Sequence, residues 1–161
     1  MKLAATHRFT ASASAVCEGM GDPDFYAGLD LPDVELPEVI DRTATGSRVA
    51  IRVRFTYTGK LDPIARRIVG RDHVEWVQEL DIDSGSKSCA LKVVPAVGVI
   101  PVSCNGTFVL RDAGSGCART LDGDLRIRVP LIGSRAEHSL APGIMSRLDL
   151  EAAALDTYLA S

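Results

Sequence analysis

The chain has 161 residues, 18 of them Lys or Arg and 21 Asp or Glu, for a net charge of −3. That length suits a single domain, residues 1–161, with a core able to stand without disulfides or metal. An apolar share of 46% with 24% charged residues excludes a disordered chain and a bundle of membrane helices, and an acidic balance with only 5% aromatics argues against a nucleic-acid binder, which needs a basic face or a base-stacking platform.

Leu3, Ala5, His7 and Phe9 alternate with polar neighbours, which predicts a strand with His7 on its apolar side. Ser12 is placed to cap a short helix through Val16, Cys17 and Met20 that Gly21 ends. Asp22-Pro23 starts a second short helix carrying Phe25, Tyr26 and Leu29. Val34–Thr43 reads as an edge or irregular strand because Pro37 interrupts it. Val49, Ile51, Val53, Phe55 and Tyr57 alternate with polar residues and arginines, the clearest half-buried strand of the chain. Asp62-Pro63 and Gly70 bracket a short amphipathic helix with Leu61, Ile64 and Ile68, either a lid or a plain connection covering the core edge. Val74, Trp76, Gln78, Leu80 and Ile82 form the next strand, where Glu75 and Glu79 can face Arg52 and Arg54.

A turn at Asp83–Ser86 leads into a strand over Ser88–Ala96, and Pro101–Leu110 follows. Val93 to Leu110 is eighteen residues without a charge, yet Pro95, Gly98, Pro101, Asn105 and Gly106 break it, so two strands explain it better than a membrane span. The turn between them, Val97-Gly98-Val99-Ile100, is apolar, as at a cavity mouth, a subunit contact or a membrane-touching patch. Cys117–Leu131 is a long strand with Gly123 expected at a bulge. Leu140, Ile144, Leu148, Ala152, Leu155 and Leu159 then fall on one helical face, with Asp149, Glu151 and Asp156 away from it. Pro142-Gly143 predicts a kink there, or two helices.

Strands that follow one another through short turns pair antiparallel, and the terminal helix is the element large enough to cover one sheet face. The predicted class is therefore α+β: a curved antiparallel sheet of about seven strands around a long C-terminal helix, with two short helices after the first strand. Such a sheet leaves an apolar space beneath the helix, the common form of a small-molecule site.

Thr6-His7-Arg8-Phe9-Thr10-Ala11-Ser12, Val16, and Gly21-Asp22-Pro23-Asp24-Phe25-Tyr26 resemble the opening of the START-like helix-grip superfamily, also called SRPBCC. Val129-Pro130-Leu131-Ile132-Gly133 and Glu137 resemble its approach to the last helix. Pro63–Arg67 and Val93–Gly98 are similar to an actinobacterial family within it, over nearly the whole chain. The superfamily includes polyketide cyclases and lipid-transfer domains, so the resemblance implies a helix-grip fold and a hydrophobic ligand. It implies no catalytic residue, because one fold hosts many functions.

Candidate ligand-binding residues are His7, Phe25, Tyr26, Phe55, Tyr57, Trp76, Gln78, Cys104, Phe108, Arg119, Ile144, Met145 and Leu148. His7 is either a proton-transfer group or a core histidine satisfied locally. Gln78 interrupts an apolar face and needs a partner, from the protein or from a ligand. Tyr57 and Arg119 either reach water or turn inward to orient a carboxylate or carbonyl. Glu137 and His138 read as a complement to the helix dipole and as surface charge near the helix start. Cys17, Cys89, Cys104 and Cys117 are too widely spaced for a zinc site, Asp81–Lys92 fails as a calcium loop at its sixth and twelfth positions, and no cofactor loop is present. The N-terminus lacks an apolar signal run, which predicts a cytoplasmic protein with free thiols. The expected activity is binding of a small hydrophobic molecule such as a lipid, quinone or polyketide, with homodimerisation open. The alternatives are a cyclase or aromatase using His7, Tyr57 or Gln78, and a protein-interaction module with a filled core.

Overall fold

The computed structural model describes residues 1–70, 73–96 and 101–161. The elements run β1 (Lys2–Phe9), α1 (Ala13–Met20), α2 (Pro23–Ala27), β2 (Glu38–Thr45), β3 (Arg48–Tyr57), α3 (Pro63–Val69), β4 (Val74–Asp83), β5 (Ser88–Pro95), β6 (Val102–Ala113), β7 (Gly116–Ile127) and α4 (Gly133–Ala160). The seven strands make one curved antiparallel sheet in the order β1-β7-β6-β5-β4-β3-β2. This is the helix-grip, START-like fold. Consecutive strands from β2 to β7 are neighbours, and only the α1–α2 excursion crosses the sheet, carrying the chain from one edge to the other.

The short helices follow their caps. Ser12 Oγ accepts from Ala15 N at 3.2 Å, Asp22 Oδ1 from Asp24 N at 2.9 Å, and Asp62 Oδ1 from Ala65 N at 2.8 Å. Gly70 closes α3 at φ 67°, a left-handed position where a side chain would be strained. Pro37 lies outside β2, which begins at Glu38 and is an edge strand; Val34 makes only an isolated bridge to Tyr57.

Period two sends Ile51, Val53, Phe55, Leu80, Ile82, Leu91, Phe108, Leu121 and Leu125 to the concave face, where α4 and α1 cover them. The convex face is polar. There Arg52 faces Glu79 in register at 3.4 Å, as expected, but Arg54 pairs with Glu38 of β2 at 2.9 Å rather than with Glu75.

Two further readings are corrected, and a third is narrowed. Gly123 is not at a bulge: β7 runs in unbroken register against both β1 and β6, with Gly123 opposite Gly106. The reason for glycine is close approach, since a Cβ on Gly123 would lie 3.2 Å from the Asn105 carbonyl oxygen of β6 and 3.6 Å from Leu3 Cβ of β1. The strand also ends at Ile127, not Leu131. Of the two expectations at Pro142, a kink or two helices, the second is excluded: α4 is one helix of 28 residues with Pro142 inside it. Buried Ala136 and Ala141 before the proline and Leu148, Ala152 and Leu155 after it hold the helix to its neighbours on both sides. The apolar turn at 97–100 lies outside the described residues.

Candidate functional site

Two regions lie between the sheet and α4. Under its C-terminal half the space is filled: α1 and α2 bring Val16, Cys17, Met20, Phe25 and Tyr26 against Leu148, Ala152 and Leu155. Under the N-terminal half no second helix intrudes, and a cavity of about 490 Å³ remains. The sheet supplies Trp76, Val93, Cys104 and Leu125, α4 supplies Leu140, Ile144 and Arg147, and α3 closes one side with Ala65 and Ile68. Polar residues of the wall include Asp33, Lys60, Asp62, His73, Glu75 and Ser139. The volume suits a small organic molecule. α3 is tied to α4 by Ser139 Oγ, which donates to Asp62 Oδ2 at 2.6 Å. The hydrogen bond from Ala65 N, with that from Ser139, holds the Asp62 carboxyl below its ordinary range.

Of the candidate residues, Tyr57, Trp76, Cys104 and Ile144 line this cavity. The others lie elsewhere. Phe55 stacks on Trp76 with ring centroids 5.4 Å apart. Phe25 packs edge-on to Tyr26, whose hydroxyl donates to the Met20 carbonyl at 2.7 Å, in the filled half. Phe108 and Leu148 belong to the same packed core, and Met145 packs half-buried against it. Tyr57 keeps its hydroxyl 3.4 Å from the Lys60 carbonyl.

His7 and Arg119 are direct cross-strand partners, both buried. Arg119 Nη2 lies 3.1 Å from His7 Nδ1, and His7 Nε2 lies 2.9 Å from Asp149 Oδ1. A guanidinium only donates, so Nδ1 is the acceptor, the ring proton sits on Nε2, and it points to Asp149. Burial, reinforced by the Arg119 charge, lowers the His7 pKa below its usual value and favours this neutral ring. Arg119 also stacks 4.2 Å from the Phe108 ring centroid. The relay runs from core to surface and does not line the cavity, so His7 is satisfied by protein groups there.

Gln78 is likewise satisfied by the protein. Its Nε2 donates to Glu151 Oε1 at 3.2 Å, while Arg147 donates to Gln78 Oε1 at 2.9 Å and to Glu151 Oε2 at 2.5 Å. Arg147 spans the Phe55 and Trp76 rings, 5.0 and 5.4 Å from their centroids. It is a charged group fixed at the cavity wall by two side chains and two aromatic faces.

Sequence reasoning missed Arg147 and set Glu151 apart from the apolar stripe, yet Glu151 is 7% exposed. The signal was present: Glu151 stands three residues after Leu148 and four before Leu155, which places it on their side of the helix. Glu137 is corrected too. It is buried, accepts from Ile127 N at 3.0 Å, and lies 3.6 Å from the N-terminal ammonium. The Ile127 hydrogen bond lowers its pKa.

All four cysteines are free and buried, and burial pushes the Cys89 thiol up to about 12, far from nucleophile range. Among the described residues no three His, Cys, Asp or Glu side chains gather as a metal site, and no helix is long and apolar enough to cross a membrane.

Comparison with solved structures supports the fold. The chain is similar to TTHA0849 from Thermus thermophilus (TM-score 0.67, 17% identity, 99% of this chain and 97% of that one). It is similar to the Zhui aromatase/cyclase from Streptomyces sp. R1128 (TM-score 0.66, 15% identity, 99% and 93%). A START superfamily protein from Mycobacterium smegmatis matches at TM-score 0.59 and 14% identity, over 99% and 97%. A comparison with curated proteins finds no match. The family model described as protein of unknown function, DUF2505, matches residues 4–159, and the chain belongs to that family.

Proposed function

We propose that this protein binds a small hydrophobic molecule in the space between its sheet and the first half of α4. The observation that carries this reading is the cavity of about 490 Å³ with Trp76, Val93, Cys104, Leu125, Leu140 and Ile144 on its wall. Moving a ligand's apolar surface there from water yields about 2.5 kcal/mol per 100 Å² before the cost of association. Arg147 gives the wall one fixed cation, so a ligand with a carbonyl or carboxylate, as in a quinone, a fatty acid or a polyketide, fits better than plain hydrocarbon. A filled-core interaction module would not need this space. A cyclase of the kind named among the structural neighbours would need a proton-transfer group at the substrate; of His7, Tyr57 and Gln78, only Tyr57 stands on the cavity wall.

Native mass spectrometry of the purified protein, followed by titration with a long-chain fatty acid and with a naphthoquinone, tests the reading. Binding should quench Trp76, the single tryptophan. Cys104→Trp and Ile144→Trp should block uptake. Retention of affinity in both variants, or no uptake of either probe by the parent protein, would remove the proposal.

A further inference from the structure

We propose that the β7–α4 connection and the outer side of α3 form a docking surface for an anionic lipid bilayer. Its centre is Leu131. This side chain is fully exposed, at 105% of its reference area, and its backbone has φ 71°. A leucine there is strained and hydrated at once, at a turn position after Pro130 where glycine is the usual residue. The other described non-glycine residues at positive φ are Asp33 and Lys87, both polar. An apolar side chain held out in this way suits a surface that takes it out of water.

The surroundings of Leu131 are cationic. Arg128 and Arg135 flank it and are exposed; Arg66 and Arg67 are exposed on the last turn of α3. Ile68 belongs to the same buried cluster as Ile127 and Ala136, and Ser139 of α4 bonds Asp62 at the start of α3, so α3 and the connection lie at the same end of the sheet. None of these four arginines meets a carboxylate among the described residues, whereas Arg48, Arg52 and Arg54 on the convex sheet face are all paired. The nearby carboxylates keep their charge but point to other groups: Glu137 accepts from Ile127 N, and Asp62 accepts from Ala65 N and the Ser139 hydroxyl. The side of the molecule around Leu131 thus offers exposed guanidinium groups that can meet lipid phosphates.

Charge alone would serve any polyanion. The exposed leucine favours a bilayer, because nucleic acid offers it no apolar partner and this surface carries no aromatic ring for stacking. The inner side of α3 lines the cavity, so docking would set the cavity wall against lipid. The proposal does not rest on the ligand reading, and either can fail alone.

The test is co-sedimentation of the full chain with vesicles of phosphatidylcholine, or of phosphatidylcholine mixed with phosphatidylglycerol, at low and high salt. Binding should require phosphatidylglycerol and fall steeply with salt. The double variant Arg66→Gln, Arg67→Gln should lower it by about twenty-fold. Leu131→Gly should lower it by roughly tenfold, with thermal stability equal or higher, since glycine accepts this backbone. Absence of binding, equal binding to neutral vesicles, or full binding by Leu131→Gly would overturn the proposal. So would equal capture of the parent and Leu131→Gly by heparin at an affinity exceeding that for the vesicles, which would mark a site for soluble polyanions.

Discussion

The two halves of the space beneath α4 share one sheet and one helix, yet one is filled and the other hollow. In the filled half α1 and α2 insert Val16, Met20 and Tyr26 between the layers. In the hollow half α3 lies at the side and leaves the sheet and helix apart. The polar groups divide in the same way. Arg119 bonds His7, and His7 bonds Asp149, away from the cavity, whereas Arg147 is braced by Glu151 and Gln78 yet still borders it. A similar guanidinium is a packing element in one half and a candidate ligand contact in the other, and the difference is what else occupies the layer.

That contrast can be broken in several ways. The largest effect should come from Glu151→Ala, which strips Arg147 of its buried counter-charge and Gln78 of an acceptor; about 3–5 kcal/mol of stability should be lost in urea unfolding. A smaller loss would mean that water already compensates Arg147.

Next are truncations of equal chemistry on the two halves. Leu155→Ala, in the filled half, should cost about 2–5 kcal/mol, because its neighbours cannot collapse onto the void. Ile144→Ala already borders empty space and should cost about 1 kcal/mol. Equal losses would erase the distinction between the halves.

The His7 relay should give a pH signature. Its folded pKa is lowered, so at pH above the unfolded value near 6.5 the ring is neutral in both states and contributes no pH dependence. Below it the unfolded chain takes up the proton first, and stability should fall as pH drops towards 5, by at most about 1.4 kcal/mol per pH unit. His7→Gln keeps an acceptor for Arg119 and should flatten that slope; an unchanged slope would assign it to other groups.

The smallest change in stability should be Cys104→Trp, within about 1 kcal/mol of the parent because the added ring enters space already present. Its effect on fatty-acid uptake should be complete. A large loss of stability would mean the space cannot accept a side chain.

Much of this architecture was legible before any coordinates. Period-two alternation marks β1, β3 and β4, and Ser12, Asp22-Pro23 and Asp62-Pro63 announce three helices through capping chemistry that acts within a few residues. Alternation also sends His7, Gln78 and Arg119 inward, but it cannot say which inward residue lies opposite which. Register makes Arg119 the partner of His7, and the path of α4 over β4 makes Glu151 the partner of Gln78. Pro142 leaves a kink and a break both open, and packing on either side of it decides for one helix; Gly123 misleads because its reason is a neighbour in another strand.

Local rules in the chain determined where each element begins, which face it turns inward and how the strands follow one another. Tertiary structure alone decided that helices enter one end of the layer and not the other. The cavity is set by the distances between elements far apart in sequence, and neighbouring residues carry no record of such distances.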